Sequence, residues 1–501
     1  MTAKIKTVSF AGIEAQPVTV EVQIASGMPS FTIVGLPDKA VGESKERVRA
    51  ALVSLGIALP PKRITVNLAP ADIIKEGSHF DLPIAVGLLA SMNIIPLSSV
   101  QNYLIMGELG LDAGIADVSG VLPAAVYALS QSLGFICPAG QGSEAAWSGS
   151  DDIIAPSSLL SLIEHLKGNS KIPPPEKQSA VQNTALLDLK DIKGQESAKR
   201  ALEIAAAGGH NMLMIGPPGT GKSMLAARMA SILPPLDSKE ILEVSMIHSV
   251  AGMISDGKLI SSRPFRSPHH SASMPSLIGG GTKAKPGEVS LAHKGVLFLD
   301  ELPEFSRQTL EALRQPLEAG KVSVARANVH ITYPARFQLI AAMNPCRCGY
   351  FGTAGQECSK APKCAQDYQA RISGPLFDRI DMHVEVPAVL PWDMSEPPPR
   401  ESSADVAERV AAAIKIQTER YRGTGLSRNS EIEGELLETN VKADSESLKM
   451  LTSAAEKFNL SARGYHRILK VARTIADLAG EESVHLPHVS EALSFRRIIH
   501  R

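Results

Sequence analysis

Neither sign of charge is in excess. Lys and Arg number 51 against 52 Asp and Glu, a net charge of −1, so no global basic field marks a nucleic-acid binder and any phosphate contact must come from a local patch. A long apolar run is also missing. The uncharged stretches Leu82–Gly107 and Val118–Ser143 are broken by Pro, Ser, Asn or Gln well before about 18 continuous apolar residues. They read as buried helices and turns, and no contact with a membrane is expected. The N-terminus MTAKIKTVSFAGIEAQ alternates like a strand and lacks the apolar centre of a secretory signal, which makes the chain cytoplasmic by expectation. Cysteine is scarce. Five in 501 residues, in such a compartment, exclude a disulfide framework. Cys137, alone in an apolar segment, reads as a buried small residue. Internal repeats and low-complexity tracts are absent as well. What is present is ample apolar content, 44%, for two or three packed domains.

Composition divides the chain. GNSKIPPPEKQSAVQNTA, residues 168–185, is rich in Pro and small polar residues and reads as a linker after an N-terminal domain, 1–167. PAVLPWDMSEPPPRESS marks a second boundary, between a core over 186–390 and a C-terminal domain over 391–501 with helical spacing almost throughout. Within the core, NMLMIGPPGTGKSMLAARMA places an apolar strand, a glycine-rich loop and a helix in succession. The loop Gly216, Pro217, Pro218, Gly219, Thr220, Gly221, Lys222, Ser223 fits G-x-x-x-x-G-K-[ST]. Its backbone amides and the helix start would cradle phosphates, Lys222 would reach the β- and γ-phosphates, and the Ser223 hydroxyl would sit on Mg²⁺. A second apolar strand, GVLFLDEL, ends in Asp300 and Glu301. Asp300 suits the Mg²⁺ of a bound ATP, and Glu301 suits polarisation of an attacking water.

From these residues on, the chain resembles the AAA+ ATPases. FQLIAAMNP ends in Asn344, at the position called sensor 1. SGPLFDRIDMHVEV matches the segment presenting an arginine finger, here Arg379, and LSARGYHRILKVARTIADL resembles the lid segment bearing sensor 2, which points to Arg463, with Arg467 close behind. A finger acting on a neighbour's nucleotide can be worth about 10³–10⁵ in rate, and it requires an assembly; the resemblance implies a homo-oligomeric, hexameric ring. The core looks like the magnesium-chelatase-like branch, in which an insertion precedes the acidic strand. Lys258–Lys294 holds six Lys or Arg, three His and one acidic residue, a local basic patch suited to phosphate. Arg263, Arg266, Lys283 and Lys285 are candidate DNA contacts there. GKVSVARANVHITYP reads as a hairpin of the kind that faces the pore in related rings, adding Arg326. No Phe, Tyr or Trp lies between Arg266 and Leu297, which disfavours a protein-threading motor.

KEGSHFDLPIAVGLLA and MGELGLDAGIADVSGVLPAAVYA resemble the Lon-protease-like domain of the ribosomal protein S5 type, after a strand, helix, strand, helix succession. Threading that likeness puts His79 near the catalytic serine position and Leu122 near the lysine, with Ser78 one residue out of register. The dyad is absent, so an assembly or DNA-handling role is implied, as in the RadA recombination helicases. The expected fold is thus α/β: a P-loop AAA+ core with an α-helical C-terminal lid, preceded by an α+β Lon-protease-like domain. Together these parts resemble the YifB/ComM family of Mg-chelatase-like ATPases, and the resemblance implies a DNA helicase that promotes branch migration during homologous integration of incoming DNA. Two other motors fit less well. One would insert metal into a tetrapyrrole, although a true chelatase motor is expected to lack the N-terminal third; the other would remodel proteins.

Four cysteines fall together. Cys346, Cys348, Cys358 and Cys364 follow C-x-C-x₉-C-x₅-C, enough thiolates to close a tetrahedral structural zinc site. An iron–sulfur cluster, free thiols and redox sensing are the alternatives. Arg347, Lys360 and Lys363 would lie nearby as further phosphate contacts.

Overall fold

Strand alternation and apolar runs set the fold in three successive parts, over residues 2–178, 187–281, 284–326, 329–351, 360–389, 401–458 and 460–496, which the computed structural model describes. In the first part Thr2–Ala11 begins with alternate side chains buried, the mark of a strand covered on one face. It forms a hairpin with Glu14–Ala25. A seven-stranded sheet extends from it in the order Ser30–Val34, Arg63–Ala69, Glu14–Ala25, Thr2–Ala11, Tyr103–Ile105, Gly134–Ile136, Ile153–Ile154. The expected strand, helix, strand, helix succession is Ser30–Val34, Lys39–Ser54, Arg63–Ala69 and Asp81–Ser91.

The uncharged stretches become helix Asp81–Ser91 with strand Tyr103–Ile105, and helix Val121–Ser130 with strand Gly134–Ile136. Residues 81–90 are buried all round, as a helix without a polar face must be. Buried Asp81 is met by Arg47 Nε at 2.6 Å. Among the described residues no helix is long and apolar enough to cross a membrane. Ser78 gives its hydroxyl to Glu108, Lys75 its ammonium to the Pro70 carbonyl, and the His79 ring lies 2.8 Å from the Val8 carbonyl through Nε2. Leu122 and Cys137 are buried. Ser78 is thus bonded to a carboxylate, and Leu122, near the expected lysine position, is an apolar core residue.

The middle part is a five-stranded parallel sheet ordered Phe265–Arg266, Val296–Leu299, Gln338–Met343, Met212–Ile215, Met382–Glu385. Its three inner strands are buried end to end, which a parallel sheet covered on both faces demands and which explains their unbroken apolar sequences. One face packs helix Glu196–Gly208 together with the C-terminal helices in a single core cluster; the other packs the insertion and the hairpin. The hairpin pairs Lys321–Arg326 with Val329–Pro334. It lies against the N-terminal part, because a Cβ added to Gly12 would stand 2.9 Å from the Thr332 carbonyl and 3.1 Å from Ile331 Cγ2, and Ile13 packs against the core cluster that holds Ile331.

The last part is helical: Ser403–Arg420, Glu435–Val441, Ser445–Lys457, Ala462–Ala479 and Leu486–Ser494. A buried polar knot ties it. Asp477 accepts from Arg420 Nη1 at 2.9 Å, Asn429 Nδ2 at 2.8 Å and Arg473 Nε at 3.1 Å, so a buried carboxylate is fully satisfied.

Candidate active site

Parallel pairing brings the nucleotide motifs to one sheet edge. Ile215 lies opposite Met343, and Leu299 opposite Ala341, so Gly216, Asp300 and Asn344 all leave the C-terminal ends of adjacent strands. Only glycine fits at 216, where a Cβ would stand 2.0 Å from the Val386 carbonyl oxygen. Gly219 and Gly221 take φ of +78° and +85°, turning the loop into helix Lys222–Ala227. Thr220 braces the bend by donating to the Pro217 carbonyl at 3.1 Å. Lys222 Nζ donates to the carbonyls of Gly216 and Pro217, each at 2.8 Å, and to Asn344 Oδ1 at 3.3 Å. Burial lowers the pKa of Lys222, and the charges of Asp300 and Glu301 oppose that fall. Ser223 Oγ donates to Asp300 Oδ2 at 2.6 Å. A hydroxyl and a carboxylate so close are an all-oxygen donor pair of the kind Mg²⁺ takes beside phosphate, so the residues fit an ATP–Mg²⁺ complex.

Glu301 sits in the left-handed region at φ +50°, its N–H donating to Asp300 Oδ1 at 2.9 Å. Its carboxylate pairs with His270 Nδ1 at 3.1 Å, and the His270 ring lies beside that of His269, centroids 4.1 Å apart and planes tilted by 33°. His270 is a site residue that motif reading missed. The signal lies in the pairing of Arg266 with Leu297: four residues further along both strands stand 270 and 301.

Arg379 and Arg463 lie elsewhere. Asn211 and Asp381, joined from the Asn211 N–H to Asp381 Oδ2 at 2.9 Å, precede two neighbouring strands and mark the opposite edge of the sheet, about 16 Å from Gly216 by strand rise. Arg467 pairs with Asp381 there. Burial raises the pKa of this carboxyl, but Arg467 and His210 outweigh it and hold the group well below the usual range. A cavity of about 920 Å³ at this edge is lined by Arg379, Arg463, Arg467, Arg428 and Lys470, and by no residue of the loop 216–223. Arg379 is buried and bonded to Glu318; burial, then neighbouring Arg314, Arg463 and Arg467, lower its pKa. One protomer does not bring these arginines to its own phosphate loop.

Part of the basic segment is paired with the chain's own carboxylates. Arg263 donates to the carbonyls of Pro234 and Lys294 at 2.6 and 2.7 Å and to Glu240 at 3.1 Å. Arg266 grips Glu288 with two bonds, 2.6 and 2.7 Å. Both guanidinium groups hold the segment together, whereas Lys285 is exposed. Lys283 and the side chain of Arg326 lie outside the described residues.

The Sγ atoms of Cys346, Cys348 and Cys364 all lie within 4.8 Å of one another; Cys346 and Cys348 are 2.9 Å apart. Cys358 lies outside the described residues. A turn at 345–349 supplies the first two thiols, and helix Lys363–Gln369 supplies the third while Gln369 Nε2 donates to the Pro345 carbonyl at 2.9 Å. Such soft donors could hold a metal such as zinc.

Comparison with known proteins matches residues 188–394 to the family described as magnesium chelatase, subunit ChlI, residues 20–141 to subunit ChlI of Mg-chelatase, and residues 400–496 to the ChlI C-terminal region. The chain is 45% identical to competence protein ComM of Haemophilus influenzae over 496 residues, 97% of this chain and 96% of that protein. It is 42% identical to the protein YifB of Escherichia coli over 495 residues, 99% of this chain and 97% of that one. The chain belongs to the YifB/ComM family of magnesium chelatase ChlI-like AAA ATPases.

Proposed function

We propose that this protein is an ATP-driven DNA motor, a hexameric ring that promotes branch migration during homologous recombination and natural transformation. The observation that carries the reading is similarity to a competence protein over 97% of the chain. In this reading Lys222 and the loop amides hold the phosphates, Ser223 and Asp300 hold Mg²⁺, Glu301 polarises water, and Asn344 orients it. Arg379 and Arg463, gathered at the sheet edge away from the protomer's own loop, serve the neighbour's nucleotide, which makes the ring a condition of hydrolysis. Lys285, with Lys283 and Arg326, meets the DNA backbone. The N-terminal part is a Lon-protease-like domain of the S5 type without peptidase chemistry, in keeping with the bond of Ser78 to Glu108 and the buried apolar Leu122. The thiol cluster is a structural zinc site with Cys358 as fourth ligand, where binding of roughly 10–16 kcal/mol replaces packing.

The test is displacement of a labelled strand from forked and three-stranded DNA, wild type against Lys222→Ala. Unwinding that needs Lys222 is expected. ATP hydrolysis with neither DNA stimulation nor unwinding would sink the reading. The three ChlI matches favour a second reading, a motor for metal insertion into a tetrapyrrole, and a partner-dependent chelation assay separates the two.

A further inference from the structure

The thiol cluster touches the phosphate loop. Gly349, at φ +91°, faces Pro218 so closely that an added Cβ would stand 2.7 Å from the proline Cδ and 3.1 Å from its Cγ. The Gly349 N–H donates to the Cys346 carbonyl at 3.0 Å, closing the turn that carries Cys346 and Cys348. The same turn follows Asn344, whose side-chain oxygen receives Lys222 Nζ. One short turn therefore meets the loop twice, once through packing on Pro218 and once through the lysine that reaches phosphate.

Pro345, Cys346 and Gly349 are buried, Gly349 against Pro218, but the turn joins none of the main apolar clusters. The hydrophobic clusters include Met343 and Ile372 but no described residue between them, and Arg347, Cys348 and Tyr350 are exposed. What joins the turn to helix Lys363–Gln369 is the bond from Gln369 to the Pro345 carbonyl and the convergence of three sulfurs. That helix leads on through Gly374–Phe377 to Arg379.

We infer that a zinc ion on Cys346, Cys348 and Cys364 makes residues 345–349 a brace for the phosphate loop, so that metal occupancy sets the affinity for nucleotide. This rests on the zinc reading above and extends it: the thiols are positioning residues for Lys222 and Asn344, and Gly349 is the contact through which they act. Zinc held by these thiolates pins the turn; without it the turn can leave Pro218 and carry Asn344 off Lys222.

The experiment uses the full chain as wild type, Cys348→Ser/Cys364→Ser and Gly349→Ala. Zinc per chain is measured by elemental analysis, the affinity for a fluorescent ATP analogue by titration, and folding by circular dichroism. Zinc in wild type is expected, with its loss and an affinity at least ten-fold weaker in the double variant. Gly349→Ala should keep its zinc and still bind nucleotide at least five-fold more weakly, a result that mere structural support of the thiol loop would not give. No zinc in wild type overturns the metal reading and the inference with it. Zinc lost with affinity unchanged overturns the brace alone. Should the double variant fail to fold, Gly349→Ala decides, because wild-type affinity there overturns the inference.

Discussion

Glu301 meets an imidazole before it meets water. A donor at 3.1 Å draws on the lone pairs with which a carboxylate polarises a nucleophile. His270→Ala is expected to raise basal ATP hydrolysis by about three- to ten-fold while leaving nucleotide affinity unchanged, and steady-state kinetics beside an affinity titration reads both. A fall in turnover would show that the histidine orients the carboxylate productively. The phosphate loop was legible because its eight residues are contiguous and each has a local duty. His270 was not, because its partner is 31 positions away and only strand pairing makes them neighbours. The cationic segment shows the converse: its charges could be counted in sequence, but the partners Glu240 and Glu288 that consume two of them could not.

At the scale of elements, the turn entering helix Asp81–Ser91 buries a titratable ring. Burial depresses the pKa of His79 from 6.5 to about 4, against the opposing bond from the Val8 carbonyl. The folded domain therefore refuses a proton that the unfolded chain accepts. Stability is complete above the unfolded value of 6.5 and falls as pH drops toward 4. Between pH 8 and pH 5 the loss is about 2 kcal/mol. Denaturant unfolding at the two pH values should show it in wild type and much less in His79→Gln; equal pH dependence in both would exclude His79 as the source. The elements themselves were largely readable, since parallel strands buried on both faces leave unbroken apolar runs and the C-terminal helices keep their period. Where elements meet was not readable. The placement of Arg463 beside Arg379, away from the P-loop, follows from how helix Ala462–Ala479 packs on helix Glu196–Gly208, a relation between segments far apart in the chain.

At the scale of the whole molecule, the proposed ring would divide each catalytic centre between two chains, since Arg379 and Arg463 lie away from the phosphate loop of their own chain. Arg379→Ala and Glu301→Gln should each abolish hydrolysis alone. Mixed in equal amounts and allowed to reassemble, they should recover about a quarter of wild-type activity, because random closure of a ring puts an intact Glu301 beside an intact partner Arg379 at that fraction of interfaces. No recovery in mixed rings would return the finger to its own subunit. A second junction lies within the chain. Buried Glu144 accepts from Ser249 Oγ at 2.6 Å and from the Leu122 N–H at 3.1 Å, fastening the N-terminal part to helix Ser238–Ala251 just before the basic segment. Ser249→Ala leaves that carboxylate short of a donor at a cost of about 1–3 kcal/mol. Calorimetry should then show one cooperative transition in wild type separating into two, and an unsplit transition would argue that other contacts hold the junction.

The small contact at Gly12 has a mechanical meaning. With its Cα set against the Thr332 carbonyl, no slack separates the core hairpin from the long ribbon of Thr2–Ala11 and Glu14–Ala25. The two tiers are geared rather than tethered: any stroke that swings the hairpin levers the N-terminal sheet with it, and the stretch Gly168–Lys177 needs only to follow. In the motor proposed above, an N-terminal tier coupled this way would work as a moving jaw, its length multiplying a displacement that begins at the phosphate loop.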